Sequence, residues 1–96
     1  MIIITARWKA KADKISDLKS CLEEMVEQVR QNEPDCFEYI LQQHQSDPSH
    51  FLFYEQYVSK AAVDSHVATA HFKKLMSETA SLIEEEVKID FYNLIQ

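Results

Sequence analysis

The densest group of chemically capable side chains lies in the second half of the chain. Phe53-Tyr54-Glu55-Gln56-Tyr57 is followed by His66 and then by His71-Phe72. Period-two alternation places Phe53, Glu55 and Tyr57 on one face of a strand. If that face meets helices, Glu55 points into an apolar layer, where an unpaired carboxylate is strongly unfavourable and requires a partner. His66 or His71 is the expected one. A carboxylate beside an imidazole orients the ring and stabilises its cationic form, which equips the pair as a general base. The same residue types would also serve a structural purpose, with a histidine satisfying a buried acid or closing a helix turn.

Other chemistries find less support. His66 and His71 are five apart, whereas a zinc-binding pair on one helix face is spaced by four, and no metal is expected. His44 and His50 flank a polar turn and are expected to be solvated. Glu84-Glu85-Glu86 reads as an exposed acidic face at a helix end, although like charges there oppose the helix dipole. Glycine is absent, which removes the phosphate-cradling loops of nucleotide-binding proteins and the nucleophile elbow of serine hydrolases. The two cysteines, Cys21 and Cys36, are expected to be reduced and to pack as small apolar residues.

The elements that must position these residues follow from hydrophobic spacing. Ile2 to Trp8 alternates as a first strand. Ile15, Leu18, Leu22, Met25, Val26 and Val29 form the apolar stripe of a long helix, with Asp13 as the expected N-cap and Pro34 ending it. Cys36 to about His44 alternates again, with Phe37, Tyr39 and Leu41 on one face. The turn-rich Ser46-Asp47-Pro48-Ser49 then leads into Phe51 to Val58, so the two runs form a hairpin. Ser59 and Thr69 each suit an N-cap, which predicts a second helix interrupted near Val67 to Thr69 and carrying Phe72, Leu75, Met76, Leu82 and Ile83. Val87 to Ile95 is the last strand.

This order is that of an α+β, ferredoxin-like βαββαβ fold: a four-stranded antiparallel sheet with two helices on one face. Residues 1–96 have room for a single domain. The net charge of −6 and the lack of a basic cluster argue against nucleic acid as a partner. The apolar start Ile2-Ile3-Ile4 is far too short to span a membrane or act as a leader, so a cytoplasmic chain is expected. Strands with bulky residues on both faces, such as Phe51, Phe53 and Tyr57 against Leu52, Tyr54 and Val58, suit a sheet covered on both sides. A second copy of the chain is the simplest cover, giving a homodimer.

Glu33-Pro34-Asp35-Cys36-Phe37-Glu38-Tyr39, Phe53-Tyr54-Glu55-Gln56-Tyr57, Ala61-Ala62 and His66-Val67-Ala68-Thr69-Ala70-His71-Phe72 together resemble the antibiotic biosynthesis monooxygenase family, in particular its small quinol-monooxygenase-like members. The resemblance implies a dimeric α+β barrel with a pocket between sheet and helices. It implies oxidation of a small aromatic or quinol substrate by O2 without metal, flavin or other cofactor. By matching position, His66, His71 and Glu55 are the expected catalytic residues, with Glu55 orienting a histidine. Trp8, Tyr39, Phe53, Tyr57, Phe72 and Met76 are the expected substrate contacts. Tyr57 stands where the family often has tryptophan, and Asp35 where glycine is usual. Met76 occupies the place of the histidine ligand of a haem-degrading branch, which argues against haem. A branch that isomerises phosphorylated sugars is disfavoured by the presence of only two arginines, Arg7 and Arg30. The rival readings are an isomerase of the same fold and a non-catalytic dimeric binding module.

Overall fold

The structure, a computed structural model, describes all residues from Met1 to Gln96. Its elements run β1 (Ile2–Lys9), α1 (Ile15–Asn32), β2 (Cys36–Gln43), β3 (His50–Tyr57), α2 (Lys60–Ala68), α3 (Ala70–Thr79) and β4 (Lys88–Asn93). The strands form one antiparallel sheet in the order β2-β3-β1-β4. The helices cover one face of it, as the sequence pattern predicts.

The apolar stripe of α1 accounts for its docking, since Leu18, Leu22, Met25, Val26 and Val29 are all buried. They pack with Ala6, Trp8, Tyr39, Phe51, Phe53 and Leu75 in the main core. Burying each large aliphatic side chain contributes about 1.5–3 kcal/mol relative to leaving it in water. The start of α1 differs from expectation. Lys14, not Asp13, is the N-cap, and no side chain caps the helix.

Register fixes what meets across the sheet. Ile4 of β1, Glu55 of β3 and Tyr39 of β2 lie in one row, with Ala6, Phe53 and Leu41 in the next. A bulge between Cys36 and Glu38 leaves Phe37 without a partner residue, so that Cys36 pairs with Tyr57. Phe37 is therefore 51% exposed while Tyr39 is 5% exposed, and Phe37 does not share the Tyr39 environment that simple alternation predicts.

Both expected helix caps after β3 form. The Ser59 hydroxyl accepts from the Ala62 amide at 3.3 Å and Thr69 accepts from the Phe72 amide at 3.1 Å. The predicted interruption lies at Thr69, whose extended backbone ends α2 and begins α3. The second half of the helical run is shorter than its apolar residues suggest. It stops at Thr79, and Leu82 and Ile83 belong to a connection in which Ala10 bridges to Ile83. The acidic run consequently lies beyond a loop and not on a helix end. There Glu84 approaches Lys9 (3.9 Å) and Glu85 approaches Lys88 (3.5 Å). No helix is long and apolar enough to cross a membrane.

Candidate active site

The break at Thr69 has a direct consequence for the two histidines. In a continuous helix, residues five apart diverge by about 140° around the axis. His66 ends α2 and His71 begins α3, and the extended residue between them re-aims the second helix so that both rings reach one carboxylate. Thr69 also ties down the preceding turn, its hydroxyl donating to the His66 carbonyl at 2.8 Å.

That carboxylate is Glu33. Pro34 disfavours helical geometry in the residue before it, and Glu33 leaves α1 at φ −125°, ψ 80°. An acid at a helix C-terminus opposes the macrodipole and calls for a compensating donor. The two imidazoles supply it. His66 Nδ1 lies 2.8 and 3.0 Å from the Glu33 oxygens, and His71 Nε2 bonds to Oε2. Burial pushes the Glu33 carboxyl up, but the hydrogen bonds from His66 and His71, and the charges of those rings when protonated, outweigh it and hold the group below the ordinary carboxylate range.

An ionised carboxylate can only accept hydrogen bonds, so the facing nitrogens, Nδ1 of His66 and Nε2 of His71, carry the hydrogens. In neutral His66 this leaves the lone pair on Nε2. The ring is held between Tyr39, Tyr57 and Phe72, with centroids 5.7, 5.3 and 5.3 Å away. The Nε2 atom makes no hydrogen bond, and it is not among the fully enclosed polar atoms, a set in which Trp8 Nε1 alone lacks a partner. The ring lines the space beside it.

That space is a cavity of about 310 Å³ between the sheet and helices α2 and α3. Its wall is apolar apart from Glu55 and His66, and includes Trp8, Tyr39, Phe53, Phe72 and Met76. Ile89 and Phe91 of the uncovered edge strand β4 form its outer side. The size and lining suit a small, largely apolar molecule. A second hollow, about 370 Å³ between α1 and α3, is lined largely by polar and charged groups such as Glu24, Gln28, Lys74 and Glu78, and offers no comparable apolar enclosure.

Glu55 is 4% exposed. Burial drives its carboxyl above the ordinary range, against the opposing influence of the Tyr57 hydroxyl, which donates to Oε1 at 2.7 Å. Burial followed by the charge of Glu55 pushes the Tyr57 phenol up strongly, and desolvation likewise raises Tyr39. Desolvation, then the charges of Glu33 and Glu55, push the Cys36 thiol up to about 12. Cys21 and Cys36 are both free thiols, and Cys36 is no ready nucleophile.

The structure brings His66, Glu55, Trp8, Tyr39, Phe53, Phe72 and Met76 to one cavity. It places two expected residues elsewhere. His71 lies behind Glu33 and borders the hollow between α1 and α3, while Tyr57 is fully buried against the His66 ring and does not line the cavity. The expected pairing of Glu55 with a histidine is corrected: its hydrogen bond comes from Tyr57, and Glu33 takes both imidazoles. Outside this cluster, His44 accepts the Ser46 and Asp47 amides and stacks on His50 at 5.1 Å, organising the hairpin turn.

Glu33, His66 and His71 could each offer one atom to a metal ion, and those atoms lie within 4.8 Å of one another. Here the two ring nitrogens bond directly to the carboxylate. Those hydrogen bonds account for the grouping.

Fold and site thus define a ferredoxin-like α+β protein with a small apolar cavity and a carboxylate-held histidine at its wall. Residues 1–78 match the antibiotic biosynthesis monooxygenase family, and the chain belongs to it. A crystal structure of an antibiotic biosynthesis monooxygenase superposes with a TM-score of 0.93 at 30% identity, over 100% of both chains. PA3566 from Pseudomonas aeruginosa superposes with a TM-score of 0.92 at 27% identity, covering 99% of this chain and 94% of that one. In sequence, the chain is 25% identical over 95 residues to "Uncharacterized protein sll1783" of Synechocystis sp.; the match covers 99% of this chain but 64% of the relative's length.

Proposed function

We propose that the protein is a monooxygenase that oxidises a small aromatic or quinol substrate with O2, the substrate itself supplying the electrons. The observation that carries this reading is the ionised Glu33 holding His66 so that Nε2 is presented to an apolar cavity. Nε2 removes a phenolic proton. The resulting anion is electron-rich enough to pass one electron to O2, and an apolar enclosure keeps the two radicals together until oxygen adds to the ring. For 1,4-dihydroxynaphthalene the balance is one quinol plus one O2 giving one hydroxynaphthoquinone plus one water. One oxygen atom enters the product, and no further reductant or cofactor is required.

Assembly as a homodimer is part of the proposal. The sheet face away from the helices carries Ile40 and Tyr92 at 36% and 51% exposure, with Tyr54 partly exposed between β1 and β2, and a second copy would cover it. Two free thiols suit a cytoplasmic setting.

Oxygen uptake with a panel of dihydroxynaphthalenes tests the reaction. His66→Ala is expected to slow uptake by about 10²–10⁴-fold, the range for loss of a positioned base. Uptake unchanged by that substitution would overturn the assignment. Saturable binding without uptake would instead indicate a binding module.

A further inference from the structure

Resting on the monooxygenase reading, we propose that Glu55 is the acid of the reaction, a neutral carboxyl group whose Oε2 delivers a proton to the oxygen atom that leaves as water. Two carboxylates, Glu33 half-buried and Glu55 buried, serve this site in opposite surroundings, which is how one site obtains both a base and an acid. Glu33 faces two imidazole donors. Glu55 faces no direct cationic partner: its one hydrogen bond comes from the neutral Tyr57 hydroxyl, and its row in the sheet is completed by Ile4 and Tyr39.

The titratable groups near Glu55 are Tyr57 on its own strand, Tyr39 and Cys36 on β2, His66 on α2 and Glu33 at the end of α1. Burial is the main cause that holds Glu55 above the ordinary range, and anionic Glu33 also disfavours a second carboxylate nearby; burial outweighs the Tyr57 hydrogen bond and the charge His66 carries when protonated, which favour one. The neighbouring helix-facing residues of β1 and β4, Ile4 and Phe91, are apolar. Tyr57 donates to Oε1, so a proton on Glu55 resides on Oε2. That oxygen has no internal partner and is not among the enclosed polar atoms, so it is free to meet a ligand.

His66 Nε2 takes the substrate's hydroxyl proton, one electron passes to O2, the radicals join at a ring carbon, and the peroxide anion takes the proton back from His66. His66 then removes the hydrogen on that carbon, and the C–H electron pair becomes the second bond of a new carbonyl. The O–O bond breaks, and the departing oxygen takes the proton of Glu55 and leaves as water. The proton on His66 returns to Glu55.

The first test needs no turnover. Infrared difference spectra between wild type and Glu55→Gln at neutral pH are expected to show the carbonyl stretch of a protonated carboxyl group in the wild type, shifted when 1-naphthol binds. Absence of that band overturns the proposal. With 1,4-dihydroxynaphthalene, Glu55→Gln is expected to take up oxygen but to form product about 10²-fold more slowly, with organic hydroperoxide accumulating. The wild-type kcat is expected to fall as rising pH ionises Glu55, a limb the variant lacks. Oxygen uptake with unchanged product formation in Glu55→Gln refutes the acid role alone. No uptake by wild type, with the band present and shifted by 1-naphthol, refutes the monooxygenase reading and the reaction step with it.

Discussion

Removing the Glu33 carboxylate should unravel the candidate site and a substantial part of the protein's stability together. Glu33 accepts from two imidazoles whose side chains are 5% and 13% exposed, so neither ring can readily turn to water for a replacement. A hydrogen bond to a charged group contributes about 1.5–3 kcal/mol, and an orphaned buried donor carries a desolvation penalty of its own. Glu33→Ala should therefore cost about 3 kcal/mol or more, which lowers Tm by roughly 12–24 °C for a chain of this size. Glu33→Gln should cost less. Its carbonyl can accept from His66 while its amide donates to His71, provided that ring adopts the other tautomer.

The pH dependence has a definite sign. A carboxyl group whose folded pKa is depressed contributes stability above its unfolded pKa, about 4.3, and loses it as pH falls through the folded value. The gap in Tm between wild type and Glu33→Gln should therefore narrow below about pH 4. As a control, Glu24→Gln removes an exposed pair with Lys74 at 3.7 Å and should change stability by less than about 1 kcal/mol. Thermal melts at fixed protein concentration measure all three variants. A loss under about 1 kcal/mol for Glu33→Ala, or one no larger than for the control, would refute the reasoning.

Glu55 carries the opposite sign. Its folded pKa is raised, so its contribution is most favourable below the unfolded value near 4.3 and erodes as pH rises toward the folded one. Glu55→Gln should flatten that decline in melts between pH 4 and 8, and an unchanged slope would contradict it. Cys36, with its thiol pushed up to about 12, should resist iodoacetamide at pH 8 in the folded protein and react readily in denaturant. Rapid alkylation of the folded chain would show the thiol to be less shielded than described.

Much of the architecture is legible locally. β1 and β3 announce themselves by alternation, α1 by its stripe, and the break before α3 by two hydroxyl residues that can cap helix starts. What was hidden depends on contacts distant in sequence or on local irregularity. Glu33 meets His66 across 33 residues, and its sequence signal was indirect: an acid just before a helix-ending proline, where the helix dipole disfavours negative charge. Glu55 was recognisable as a buried acid. The phenol that satisfies it sits two residues along the same strand, where alternation puts Tyr57 on the same face without showing that its hydroxyl reaches back. The bulge that exposes Phe37 and the early end of α3 at Thr79 break the periodicities that mark both elements.

The central claim is that Glu33 fixes the His66 ring with its lone pair toward the cavity. Side-chain nitrogen NMR of neutral His66 reports this directly, because protonated and unprotonated ring nitrogens differ widely in chemical shift. The proton is predicted on Nδ1, with Nε2 bare and perturbed by 1-naphthol. A proton on Nε2, with Nδ1 bare, would contradict it.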